Sequence, residues 1–367
     1  MKETEILKHF AIWNEIEQPQ PLRVGFINDS FVVPAKRIGE TSYCLQRINH
    51  NIFKDVEGLM RNIEIVTSHI REKLLIAREE NIERKVLHLI PTKEGKLFYK
   101  SPDGNYWRLY VLVEPATSQE KVTPKAAELT GEAFGRFQCQ LADLPFNALC
   151  ESIPNFHNME FRLQQLDEAI AEAANRPLSD VRRQRLEESR DIVEAINSRR
   201  ERMCLAEILF REGKLRKHIN HCDTKVNNVL FDEKGRPICI VDLDTVMPGF
   251  VFSDFGDFMR TAANTGAEDD PNLDNIHVDL EIFEAYTRGY LKEATFLTPL
   301  EKEMLPYGCR LLSYMQTVRF FTDWLNGDTY YKIAYPEHNL VRTKAQLRLV
   351  EEQEKVEEQM KSIIARL

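Results

Sequence analysis

The sequence is poor in features that mark several whole classes of protein. Its seven cysteines (Cys44, Cys139, Cys150, Cys204, Cys222, Cys239 and Cys309) are odd in number and scattered, with no C-x-x-C pair. That spacing argues against a disulfide framework or a thiolate zinc site and predicts reduced, mostly packed thiols. No run of about 18 apolar residues occurs, which argues against a membrane-spanning helix. The opening MKETEILKHFAIW has neither an apolar h-region nor a small-residue cleavage site, so the expected location is cytoplasmic. Lys and Arg number 49 against 58 Asp and Glu, a net charge of −9 with no basic tract. Nucleic acid and anionic membranes are therefore not expected partners, whereas a single basic pocket for a small ligand is compatible with that sum. Glycine is sparse at 15 residues, and no GxGxxG loop is present. The remainder, 43% hydrophobic and 29% charged over 367 residues, is an ordinary globular mix long enough for two domains.

The texture changes along the chain. Between about Leu22 and Glu114, strand-like patches (LRVGF, SFVVP, SYCLQRI, KVLHLI, KLFYK and WRLYVLVE) alternate with turn residues. Ser101-Pro102-Asp103-Gly104 predicts a hairpin. Leu59, Ile63, Val66 and Ile70 at helical spacing predict one long helix after the third strand. Beyond Val113-Glu114-Pro115 the pattern turns helical: one helix from Pro124 to Ala142, two from Met159 to Arg211, and an amphipathic helix from Leu340 to Leu367. A short hairpin, NVLFD and PICIVDLD, interrupts this region. The reading is an α+β chain: residues 1–114 as a small antiparallel-sheet lobe with one long helix, residues 115–367 as a mostly helical lobe.

The chemistry concentrates around that hairpin. Asp223 and Asn228 lie five apart in a polar loop entering the first strand, and Asp242 ends the returning strand. The hairpin brings Asp242 back beside the loop. Two carboxylates and an amide oxygen then meet, hard oxygen ligands suited to Mg²⁺ plus a catalytic base. Isolated Asp and Asn residues in loops are more often turn formers; the returning strand favours the catalytic alternative. His218, His221 and Cys222 lack a fourth ligand for zinc, and His221 is expected to bond backbone. Asp244, Asp254 and Asp257 are expected to brace the site as loop and helix-cap residues.

His221-Cys222-Asp223 through Asn228, with Val241-Asp242-Leu243-Asp244, resembles the HGDxxxxN and strand-end Asp motifs of aminoglycoside phosphotransferase-like kinases. HCDTKVNNVLFD, VDLDTVMPG, DFGD, EAYTRGY, YPEHNLVRTKAQLRLV, YCLQRIN and IFKDVEGLMRNIE resemble in particular the bacterial N-acetylhexosamine 1-kinases. The resemblance covers nearly the whole chain. It implies a bilobal protein-kinase-like fold and transfer of the γ-phosphate of ATP to the 1-hydroxyl of an N-acetylhexosamine, N-acetylglucosamine or N-acetylgalactosamine. Asp223 would be the base, with Asn228 and Asp242 as Mg²⁺ ligands. On the third strand Arg47 would take the place of the kinase lysine, paired with Glu64 or, second, Glu57. Asn28, in the loop Gly25–Ser30, would lie over the phosphates, and the backbone near Glu114 would meet adenine. Arg319 and Tyr330 would line the acceptor pocket, next to Phe26 and Thr261, which stand where His and Phe are expected.

Two rivals remain. A kinase for a cationic alcohol, choline or an aminoglycoside, would need carboxylates or an aromatic cage, for which Glu268-Asp269-Asp270 is the available acid. A nucleotide-binding pseudokinase would not need Asp223, Asn228 and Asp242 together. The expected partners are ATP and a small sugar, and the chain is compatible with a monomer or a homodimer.

Overall fold

A computed structural model describes residues 2–22, 27–118 and 122–367. Helix α1 (Glu3–Leu7) precedes strands β1 (Gln20–Leu22), β2 (Asp29–Val33) and β3 (Tyr43–Ile48). Helix α2 (Val56–Ile76) follows the third strand, and β4 (Leu89–Ile90), β5 (Tyr99–Lys100) and β6 (Tyr106–Val111) come after it. The strands form one antiparallel sheet in the order β1-β2-β3-β6-β4, with β5 also on β6. KVLHLI and KLFYK contribute only two residues each to this sheet.

The pairing register decides which side chains reach the interior. Gln46 lies opposite Arg108 and Arg47 opposite Trp107, and opposed residues share a face because side chains alternate along a strand. Tyr43, Leu45, Trp107 and Leu109 pack with Ile6 and Leu7 of α1 on one face. Ile48 and Tyr110 pack with α2 on the other. Asp55 caps α2 by accepting the Gly58 N–H at 2.9 Å, and Leu59, Ile63, Val66 and Ile70 are buried at the expected spacing. The same core continues into Phe137 and Leu141 and into Leu243 and Val246. The segment after Asp242 is therefore anchored directly to the helix beneath the sheet.

The helical region begins with α3 (Pro124–Leu141). Between Met159 and Arg211 five helices form instead of the two expected: α4 (Met159–Ala174), α5 (Val181–Glu188), α6 (Arg190–Asn197), α7 (Arg200–Met203) and α8 (Leu205–Arg211). Pro177 prevents continuation of α4, Asp180 caps α5 through the Arg182 N–H, and Ser189 leaves helical geometry at φ −117°, ψ 26°. Strands β7 (His218–Asn220), β8 (Val229–Phe231), β9 (Pro237–Ile240) and β10 (Met247–Gly249) follow. They form two ribbons, β8 with β9 and β7 with β10. The expected β8–β9 hairpin turns at Gly235, whose φ of +71° suits glycine.

The remaining helices are α9 (Val251–Ala262), α10 (Leu280–Glu293), α11 (Pro299–Glu303), α12 (Leu305–Asn326), α13 (His338–Lys355) and α14 (Glu357–Arg366). Helices α9 and α12 cross at Gly256 and Gly308, where an added Cβ on either would meet the backbone of the other helix. That approach buries every residue from Val251 to Arg260. Helix α9 is thus a rigid platform inside the core.

The expected single C-terminal helix is two, broken at Val356. Glu357 opens α14 and pairs with Arg310, which is buried in α12, and with Arg202 at 2.8 Å and Lys361 at 3.1 Å. Burial alone would raise this carboxyl; the three cations outweigh it and hold it at about 2, below the ordinary 4.5. A carboxyl depressed on folding stabilises above its unfolded pKa and loses that contribution as pH falls toward the folded value. Acid unfolding of the wild type should therefore steepen between about pH 4.5 and 2. Glu357→Gln should flatten that limb and lower stability at neutral pH, read from urea midpoints at several pH values. Equal pH slopes in the two proteins would refute it.

Candidate active site

The loop between β7 and β8 is suspended from helix α9. Asp254 accepts the backbone N–H of His221 at 2.7 Å on one oxygen and that of Cys222 at 2.9 Å on the other. Gln138 also donates to it, at 2.9 Å. One turn later, Asp257 accepts the Thr224 N–H at 3.0 Å and is paired with Arg260. Both aspartates brace the site as expected, but from within the helix and not as its caps. Burial pushes the Asp254 carboxyl up to about 6 against the pull of His221 and the two N–H donors. At Asp257 burial acts the same way, but Arg260, Lys225 and His157 reverse it and the carboxyl falls below its usual range.

This suspension holds Cys222 at φ +62°, a left-handed conformation that cysteine rarely adopts. The bend turns the Cys222 sulfur into the core and leaves Asp223 partly exposed. Lys225, which the sequence reading passed over, places Nζ 2.9 Å from Asp223 Oδ1. The Asn228 amide nitrogen donates to the Asp223 backbone oxygen at 2.8 Å and to its carboxylate at 3.2 Å. The Asn228 amide oxygen accordingly faces away from Asp223.

Two bonds join the loop to the strand bearing Asp242. The Val241 N–H donates to the Asn228 backbone oxygen at 2.9 Å, and His221 Nε2 contacts the Val241 oxygen at 2.9 Å. Phe134 and Phe137 hold the His221 ring edge-on. Asp242 adopts φ +60°, ψ 56°. Asp242 is exposed by surface area, although protein atoms crowd around its carboxylate. Burial, together with the charges of Asp244 and Asp223, raises it well above the usual carboxylate range. Carboxylates crowded together with an outward-facing amide oxygen are a donor set that fits a hard divalent cation. Among the described residues, no group of three or more His, Cys, Asp or Glu is placed to hold a metal. A two-ligand site completed by phosphate and water is the form that Mg²⁺ takes with nucleotides.

The cation facing this loop from the sheet is Arg108. It is fully buried, pairs with both Asp244 oxygens and donates to Gln46 Oε1 at 2.8 and 3.0 Å. Asn28 also donates to Asp244, at 2.5 Å, and accepts the Asn49 N–H at 2.9 Å. Arg47 is on the opposite face, exposed, and bonds Asp29 through Nε at 2.7 Å. The expected Arg47–Glu64 pair does not form: strand alternation turns Arg47 outward, and both Glu64 and Glu57 are exposed on α2. The α2 side chain that approaches Arg108 is Met60, at 4.0 Å. Glu114 is exposed on the connection between sheet and helices, and nearby Thr117 pairs with Phe231 of β8 at 2.9 and 2.8 Å.

In α12 the Arg319 guanidinium lies 5.1 Å from the centre of the Phe156 ring and 5.6 Å from that of Tyr331. Tyr330 sits edge-on to Tyr331 at 4.8 Å and is exposed. Asp323 fixes the Tyr330 and Tyr331 backbone by accepting their N–H groups at 2.8 and 3.0 Å. Arg319 and Tyr330 are thus brought together through Tyr331. Thr261 turns its hydroxyl back onto the carbonyls of Asp257 and Phe258, and Phe26 lies outside the described residues.

Residues 20–293 match the model of the phosphotransferase enzyme family. An aminoglycoside phosphotransferase from Alicyclobacillus acidocaldarius is similar over 99% of this chain and 96% of its own, with a TM-score of 0.64 and 11% identity. Spectinomycin phosphotransferase, solved with ADP and spectinomycin, has a TM-score of 0.58 and 14% identity over 97% of this chain and 99% of its own. An amicoumacin kinase solved with AMP-PNP and Ca²⁺ has a TM-score of 0.53 and 12% identity over 98% and 94%. At these identities the likeness to solved structures is one of fold. The family match spans most of the chain, and with it the loop and hairpin just described: the protein belongs to the phosphotransferase enzyme family.

Proposed function

We propose that this phosphotransferase moves the γ-phosphate of ATP to the anomeric hydroxyl of an N-acetylhexosamine, giving the sugar 1-phosphate. The observation that carries the reading is the assembly of Asp223, Asn228 and Asp242 by the β8–β9 hairpin. The resemblance of the surrounding motifs to N-acetylhexosamine 1-kinases supports the choice of acceptor. The nucleotide lies between residues 1–114 and 115–367, with Glu114 at the connection and the Asn28 loop above the phosphates.

Asp223 takes the proton of the sugar 1-hydroxyl as O1 bonds to the γ-phosphorus, the bond from that phosphorus to the bridging oxygen breaks, and ADP leaves. An anomeric hydroxyl is more acidic than an ordinary alcohol, so a carboxylate base suffices. Lys225 orients Asp223, its Nζ lying 2.9 Å from Oδ1. Asn228 Oδ1 and Asp242 would hold Mg²⁺, which would supply charge neutralisation on the phosphates. Arg319 and Tyr330 hydrogen-bond the sugar.

The test is Mg²⁺-dependent ADP release with N-acetylglucosamine, N-acetylgalactosamine, galactose, choline and kanamycin, with the phosphate located by NMR. Turnover on an N-acetylhexosamine with phosphate on C1 is expected. A response to choline or kanamycin alone would overturn the acceptor, and silence with ATP bound would overturn the reaction.

A further inference from the structure

Around Phe156 two arginines meet without a counter-charge. Arg162 of α4 donates to the Phe156 backbone oxygen at 3.0 and 3.3 Å and to Gln165 at 2.8 Å. Arg319 of α12 lies over the ring of the same residue and donates to Gln316 at 2.9 Å. Among the described residues, neither guanidinium has a carboxylate within 4 Å, although most arginines of this chain do. The nearby acids are committed elsewhere: Asp257 to Arg260 and Thr224, Glu268 to Arg260.

Two neutral groups lie beside the arginines. His157 stacks on Phe156 at 4.6 Å, and its Nδ1 is buried without a hydrogen-bond partner. The hydroxyl of Tyr331, beneath Arg319, is likewise buried and unbonded. A desolvated polar atom without a partner is costly and points to a missing one. Here two buried polar atoms without a partner, His157 Nδ1 and the Tyr331 hydroxyl, lie beside two guanidinium groups without a counter-charge.

We propose that Arg162 and Arg319 form a subsite for an anionic substituent, a carboxylate or phosphate, carried by the acceptor sugar. The local field agrees. Burial and the charges of Arg319, Arg162 and Arg260 push His157 down to about 3 despite Asp257. Burial and Arg319 bring even Arg162 down to about 10. Asp257 connects the cluster to the catalytic loop: it interacts electrostatically with His157 and Lys225 and bonds the Thr224 N–H. A cationic aminoalcohol or aminoglycoside would meet like charge here, whereas an oxyanion meets two guanidinium forks.

The proposal rests on the sugar-kinase reading, and its test separates the two. Calorimetric titration of the ADP-loaded protein would compare N-acetylglucosamine, its 6-carboxylate analogue, its 6-phosphate and glucosamine, with ADP release measured on the same set. At least one anionic sugar should bind about tenfold or more tighter than N-acetylglucosamine, and glucosamine more weakly. The carboxylate and phosphate arms identify the group. Arg162→Met should cost the anionic sugar about 10–100-fold more than the neutral one, and Arg162→Lys should restore part of that loss. Neutral and anionic sugars binding alike, or Arg162→Met weakening both equally, would overturn the subsite. ADP release from neutral sugars with no anionic preference leaves the kinase reading standing and removes the subsite. Tight anionic binding, lost in Arg162→Met, without ADP release from any sugar does the reverse.

Discussion

Asp223→Asn should lower turnover about 10²–10⁴-fold, the usual share of a general base, or about 3–5 kcal/mol of barrier. The substitution keeps the shape of the side chain and removes its capacity to take a proton. The surrounding geometry makes the loss specific. The loop is held by backbone bonds to Asp254 and Asp257, none of which involves the Asp223 carboxylate, and that side chain is a quarter exposed. Thermal stability and ADP affinity should therefore change little while kcat collapses. Single-turnover quench-flow separates chemistry from product release. Near-normal turnover in the variant would remove Asp223 from the mechanism.

Arg108→Met should be the most destabilising single change at the site, by about 3–5 kcal/mol, the range for removing one partner of a buried ion pair. Asp244 would be left buried with its charge uncompensated, and Gln46 would lose both bonds to the guanidinium. The effect is also functional, because Arg108 is on the sheet whereas Asp244 follows Asp242 by two residues. The turn that aims Asp242 at the cleft and the Asn28 loop above it both depend on Asp244. ADP binding should weaken in parallel with the urea midpoint. Combining Arg108→Met with Asp244→Leu should recover part of the loss, since no unpaired charge then remains. A single variant within about 0.5 kcal/mol of the wild type would show that the pair carries no such weight.

What could be read from the sequence follows from how local each determinant is. The β8–β9 hairpin and its carboxylates were legible because a turn at Gly235 and two short strands leave one way for Asp242 to return to Asn228. The sheet with a helix after its third strand was legible from alternation and spacing. Arg47 misled for an instructive reason. The resemblance puts the kinase cation at Arg47, whereas the buried, paired arginine of the sheet is Arg108, within YWRLYV. The choice between them rests on a one-residue register and on a partner 136 residues away. Arg162 and His157 carried no signal, because their meaning comes from the missing counter-charge, which exists only once α4 and α12 pack together. The helix breaks at Ser189 and Val356 were hidden because amphipathic spacing continues across both.

Cys222 stands directly before the proposed base, where a covalent inhibitor designer would first look for a warhead target. The suspension of its backbone from Asp254 closes that route. The sulfur points into the core, and burial, reinforced by Asp254 and Asp257, raises the thiol well above its ordinary range. Electrophiles and peroxide react with an accessible thiolate, and here there is neither access nor thiolate. A ligand of this site must therefore hold on without a bond to Cys222, through the charged groups around Asp223.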